Sequence, residues 1–297
     1  MRVVHLPAIA AALSAAIVSP ARAEDAAGLA PSSPWTVNYD DDSCALGRWF
    51  GEGDERSYLE IRRFGPGLGL QTTITSSKWD ARNTGSFRYR FGELDHWRDV
   101  KGALSMTWDN DVSGVLFELE IVDLPDLNDP LEHEIYLRSI DLKAIEREHA
   151  VPIDSITLRG AFGREVTLRL GSLDAPIGAL QTCVDELITH WGIDVEAHKT
   201  LSRPTAPTNL REVPRMMDYP PKMLVRSMPG LVNIRLDIDE TGQITACHIQ
   251  MPLSDPVFEE SSCADIQHAL EFDPALDKDG KPIASYWITR VHFQIGT

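Results

Sequence analysis

The sequence predicts an α+β protein in two parts, a mainly β domain over residues 34–194 and a small two-layer α/β domain over 219–297 with a three-stranded antiparallel sheet. Three observations carry that expectation. Segments from Trp35 onward alternate apolar and polar residues with the period of two that a half-solvated sheet requires, as in Phe87, Tyr89 and Phe91 around Arg88 and Arg90. Ile177, Leu180, Val184, Leu187, Ile188 and Trp191 recur at helical spacing. Beyond residue 219, two alternating segments, a helical segment and a last alternating one succeed each other, with glycine-containing turns between strands.

The chain opens on a leader. Arg2 precedes an apolar run from Leu6 to Val18, and Ala21-Arg22-Ala23 has the form of a signal-peptidase site. Residues 1–23 are therefore expected to be a signal peptide cleaved after Ala23, which places the mature protein in the periplasm. The run falls short of the about 20 apolar residues that a spanning helix needs, so no membrane span is expected after cleavage. A formal net charge of −17 argues against nucleic acid and anionic membrane as partners, because phosphate binding needs a basic face.

Residues 24–33 are a polar lead-in. Strands are expected at 35–39, 57–62, 69–74, 86–91, 115–121, 155–159 and 165–170. Asp141 is placed to cap a short helix over 141–149, and a longer helix over 175–191 stops at Gly192. Residues 195–218, punctuated by Pro204, Pro207 and Pro214, are expected to form a linker. Next, Tyr219-Pro220-Pro221 opens a short helix over 222–227. In the strand over 231–238, Val232, Ile234, Leu236 and Ile238 take one face, and Asn233, Arg235 and Asp237 the other. A turn at 239–242, a strand over 243–251, a helix over 255–270, a turn at 277–280 and a last strand over 283–295 complete the chain.

The ordered set Tyr219, Pro220, Gly230, Val232, Gly242, Ile249, Phe272, Pro274 and Ala275 resembles the TonB C-terminal domain family. The resemblance covers the last quarter of the chain. It departs from the family at 252–255, where Ser-Ser-Gly is common, and at Glu271, where basic residues are common. The resemblance implies a protein-binding module in an energy-transduction or transport context, without enzymatic activity or cofactor. In that family the edge of the last strand receives an extended receptor segment, the TonB box. Accordingly Tyr286, Ile288, Arg290 and His292, with Gln294, are expected to face outward toward an envelope protein or receptor peptide. Ile283, Trp287, Val291, Phe293 and Ile295 are expected to face the core. Cover of that edge by the N-terminal domain, or by a second copy of the chain forming a homodimer, is the alternative. An energy transducer also needs an uncleaved membrane helix and a long Pro-rich spacer. Neither is expected here, so the domain is expected to bind partners without itself carrying force across the periplasm.

Four cysteines in an exported chain favour disulfides. Cys247 shares a strand face with Ile249 and Met251, and Cys263 shares a helix face with Ile266 and Leu270, so these two are expected to pair. Cys44–Cys183 is the complement. Other chemical signals are weak. Gly65, Gly67 and Gly69 lack the Lys and helix of a phosphate loop and read as a hairpin turn. Asp40, Asp41 and Asp42, and Asp123, Asp126 and Asp129, lack EF-hand spacing. The histidines, including His190 at a helix end, make no metal-binding pair, and no Gly-x-Ser-x-Gly elbow occurs. No metal site is therefore expected. Trp35, Trp49, Trp79, Trp97 and Trp108 motivate one alternative, a peptidoglycan- or glycan-binding envelope protein.

Overall fold

The computed structural model describes residues 28–67, 69–79, 86–108, 112–123, 125, 141–210 and 217–294. The expected signal peptide, Asp126, Asp129 and Ile295 lie outside them. In the N-terminal part the strands are β1 (Thr36–Tyr39), β2 (Cys44–Phe50), β3 (Ser57–Arg63), β4 (Leu70–Ser76), β5 (Ser86–Phe91), β6 (Arg98–Lys101), β7 (Leu104–Trp108), β8 (Val112–Leu119), β9 (Ser155–Arg159) and β10 (Glu165–Arg169). They form a six-stranded antiparallel sheet of order β1-β2-β3-β4-β8-β7 and a four-stranded one of order β10-β9-β5-β6. The sheets share a core. Phe87 and Tyr89 of the smaller sheet meet Phe117 of the larger, with ring centroids 5.0 and 5.8 Å apart. The glycine-rich stretch 65–69 joins β3 to β4.

Strands β2, β6 and β7 were not legible as strands. In β2 the first four residues are all buried, so the period-two signal that marks a half-solvated strand is erased. Two helices close this part. Helix α1 (Leu142–Ala150) is capped by the Asp141 carboxylate, which accepts from Ala144 N. Helix α2 (Asp174–His190) buries Ile177, Leu180, Val184 and Leu187 against β1 and β2. The Cys44–Cys183 disulfide fastens α2 to β2. Beneath the helices Arg63 grips Glu146 with two hydrogen bonds, and Gln181 donates to the same carboxylate at 2.8 Å. A charge this deeply buried is tolerable only when paired in this way.

The stretch expected as a linker is structured. Helix α3 (Val195–His198) leads into β11 (Ala206–Pro207), which pairs with β14 (Phe272–Asp273). Thr205 Oγ1 donates to Asp273 O at 2.8 Å, and Asn209 Nδ2 to Ala269 O at 2.7 Å. Its prolines interrupt helices without preventing this extended run from lying along its neighbour.

The C-terminal part contains α4 (Pro221–Val225), β12 (Gly230–Ile238), β13 (Ile244–Ile249), α5 (Pro256–Ala269), the small hairpin β15 (Ala275–Leu276) and β16 (Pro282–Ile283), and β17 (Ser285–Phe293). Its main sheet is three-stranded and antiparallel, of order β13-β12-β17, as expected. Ile283 belongs to the small hairpin and not to the last strand. Met223, Val232, Ile234, Leu236, Phe258 and Ile266 form a second core between this sheet and its helices. The Cys247–Cys263 disulfide joins β13 to α5 across it.

Candidate functional site

The residues that resembled a family motif converge on one another. Tyr219 packs its ring on Phe258 and Phe293 at 5.8 and 5.5 Å, and its hydroxyl donates to Met228 O. Gly230 lies so close to the Phe258 ring that a Cβ would sit 2.7 Å from it. Gly242 takes φ +86° in the β12–β13 turn, with the Phe272 carbonyl directly over it. Phe272 meets Trp287 at 5.4 Å. These residues hold the sheet, α4 and α5 together; they are a folding constellation.

Residues 215–295 match the family model for the Gram-negative bacterial TonB protein C-terminal. No curated protein matches the chain. The TonB-type segment thus begins within the stretch linking the two parts and ends beyond β17, and its last strand is the place to look for a binding edge.

Strand β17 occupies one edge of the sheet, and the direction of its main-chain groups follows from its neighbour. Leu231 exchanges hydrogen bonds with Ser254 Oγ, and Asn233 O accepts from Gln250 N at 2.9 Å, so the odd-numbered main-chain groups of β12 point toward β13. Its even-numbered groups therefore point to β17, where Val232 faces Val291 and Ile234 faces Thr289. On β17 the groups left over belong to Tyr286, Ile288, Arg290 and His292. Their N–H and C=O groups point away from the sheet, and among the described residues no main-chain bond reaches them.

Of the side chains expected to face a partner, those of Tyr286, Ile288 and Arg290 lie over the N-terminal part. Tyr286 packs on Trp191 at 5.3 Å and stacks with His198, whose Nε2 is 2.9 Å from Ser285 Oγ. Ile288 sits over Gly65, which Trp191 also approaches. Arg290 contacts Glu118 and donates from Nε to Asn233 Oδ1 at 2.8 Å, while Asn233 Nδ2 donates to Gln71 Oε1 at 2.9 Å. His292 alone remains exposed, at the rim beside Gly102. The reason is that the polar face of β12 needs cover as much as its apolar face does. Arg235 stacks on Trp191 at 4.4 Å with Asp42 3.3 Å away, and Gln250 donates to Phe64 O at 2.7 Å.

This contact zone perturbs its ionisable groups. Burial pushes the Tyr286 hydroxyl well above the ordinary tyrosine range. Burial also pulls the Arg290 guanidinium down to about 10, while the Glu118 carboxylate against it favours the charged form at neutral pH. Glu118, Gln71 and Gln250 were not singled out from sequence, and Trp191 was read only as the end of the apolar stripe of α2. One signal was available: Asn233 and Arg235 alternate with core residues on β12, and two such side chains near a sheet centre call for partners.

Three of the acidic sequence candidates form ion pairs. Asp40 pairs with Arg62 at 2.5 Å, Asp42 with Arg235, and Asp123 with Arg98 at 3.0 Å. Among the described residues no group of His, Cys, Asp and Glu has metal-ligating geometry, and no helix is long and apolar enough to cross a membrane.

Proposed function

We propose that the protein is a periplasmic binding module that takes an extended segment of an envelope protein, such as a TonB-dependent receptor, by strand addition along the free edge of β17. The single observation that carries this reading is the row of main-chain groups at 286, 288, 290 and 292 that no main-chain bond reaches among the described residues, in a segment matching the TonB C-terminal family. Long unpaired edges invite pairing with another chain, and proteins usually blunt them. Main-chain bonds would supply affinity. Selectivity would come from side chains flanking the edge, since those of Tyr286, Ile288 and Arg290 are engaged by the N-terminal part. The activity is binding, without chemistry on the partner.

The test is titration of the full chain with extended receptor peptides, comparing wild type with Ile288→Pro and Ile288→Ala. Both variants lose the contact with Gly65. Only proline removes the N–H at the free edge, and no β12 ladder bond depends on that N–H. Binding that survives in Ile288→Ala and is lost in Ile288→Pro is expected. Equal binding by the two refutes strand addition, and self-association of the chain blocked by Ile288→Pro would identify a second copy as the occupant.

A further inference from the structure

The two disulfides differ in access. Cys44 and Cys183 are both 0% exposed, and their bond joins β2 to α2 inside the core of the N-terminal part. Cys247 and Cys263 are both partly exposed. Thiol–disulfide exchange begins when a thiolate reaches one sulfur of the bond. A sealed bond therefore reacts only once its surroundings unfold, whereas an open one reacts in the native fold. The open bond also holds the more dependent element. Strand β13 is an edge strand, paired only with β12, and the bond ties it to α5.

The helix around Cys263 adds a second observation. Glu259 Oε1 and Ser262 Oγ are buried, and among the described residues neither has a hydrogen-bond partner. Glu259 precedes Cys263 by one turn of α5, so their side chains share a face. Burial, reinforced by Asp255, pushes the Glu259 carboxyl up from its ordinary value. A bridged cysteine has no hydrogen to give, whereas a thiol can donate to such an acceptor. Breaking the bond supplies a donor where the oxidised form leaves a buried acceptor unmet, and that favours the reduced form. We propose that Cys247–Cys263 is a redox switch that sets how firmly α5 holds β13, while Cys44–Cys183 is permanent. The reductant is a dithiol. One of its thiolates attacks a sulfur of the bond to form a mixed disulfide, and its second thiol displaces that link. Two electrons pass to the protein: the dithiol becomes a disulfide, and Cys247 and Cys263 become thiols. Phe258 and Ile266 keep α5 in the core after reduction, so the change is a local loosening. The inference stands whether or not the β17 edge binds a peptide.

The experiment exposes the folded full chain to graded dithiothreitol, traps thiols with iodoacetamide and maps the alkylated peptides. Cys247 and Cys263 are expected to be alkylated about tenfold or more faster than Cys44 and Cys183. Hydrogen exchange then compares the chain carrying both bonds with the chain carrying only Cys44–Cys183. Amides of α5 and β13 are expected to exchange about tenfold or more faster after reduction, with those of β2 and α2 unchanged. At a fixed ratio of reduced to oxidised dithiothreitol, Glu259→Leu should lower the ratio of reduced to oxidised protein about fivefold, the loss of one hydrogen bond. Reduction of both bonds together, or only in denaturant, overturns the inference. So does unchanged exchange in α5 and β13, which would leave the bond accessible but switching nothing, or a Glu259→Leu ratio equal to that of wild type.

Discussion

Replacing Arg290 with methionine tests whether the two parts are held together by the polar chain Glu118–Arg290–Asn233–Gln71. Methionine keeps most of the apolar stem and removes the guanidinium. Two losses follow. Asn233 is 2% exposed, and its Oδ1 loses its donor, which costs about 1–3 kcal/mol for a buried acceptor left unsatisfied. The Glu118 contact is worth less, because the two side chains are 28% and 33% exposed and water screens the pair; about 1 kcal/mol is the appropriate scale. Arg290→Met should therefore destabilise the protein by about 2–4 kcal/mol. Glu118→Gln alone should cost less, since Arg290 keeps Asn233. The assay is urea unfolding followed by tryptophan fluorescence, which samples Trp191 at the contact and Trp287 in the C-terminal core. In a double-mutant cycle the two substitutions should show a coupling of about 0.5–3 kcal/mol. If the contact makes the parts unfold together, Arg290→Met should also broaden or split the transition. A loss below about 0.5 kcal/mol, or strict additivity with Glu118→Gln, would refute the reasoning and leave the contact as mere juxtaposition.

Other expectations follow from single features. Removing Cys247–Cys263 by double alanine substitution should cost about 3 kcal/mol, and removing Cys44–Cys183, whose partners are 139 residues apart, about 5 kcal/mol by loop-closure entropy; equilibrium unfolding of each variant checks the order. Gly242→Ala must adopt φ +86° and drive a methyl into the Phe272 carbonyl, so a loss of about 1–3 kcal/mol is expected in the same assay. Partial burial pushes the Asp95 carboxyl pKa up, but the Arg98 hydrogen bond and those from His96 N and Phe91 N outweigh it and hold the group below its ordinary value. Its stabilising effect is therefore complete above about pH 4 and is lost as pH falls further. Asp95→Asn should flatten the acid limb of a stability-versus-pH curve, and an unchanged limb would show that the turn does not depend on this charge.

Much of the architecture was readable in the residues themselves. The alternation in β5, the apolar stripe of α2 and the turn glycines are local signals with local causes, and the Cys247–Cys263 pairing followed from which strand and helix faces must be buried together. The signature around Tyr219, Gly230 and Phe272 was readable for the same reason, since each position answers to a close contact inside one small domain. Strand β2 was not, because cover on both faces removes the periodicity that reports a strand. The environment of Tyr286, Ile288 and Arg290 was not readable either. Period two establishes only that these side chains leave the core of their own sheet, and whether they then meet water or a second sheet depends on contacts with residues as distant in sequence as Gly65 and Glu118. The sequence alone therefore determined the elements that carry a periodic signal and the faces each of them must bury. The tertiary structure decided that Tyr286, Ile288 and Arg290 of the last strand are covered by the N-terminal part and that, among the described residues, no main chain pairs with its outer edge, because packing between distant segments leaves no periodic trace in either.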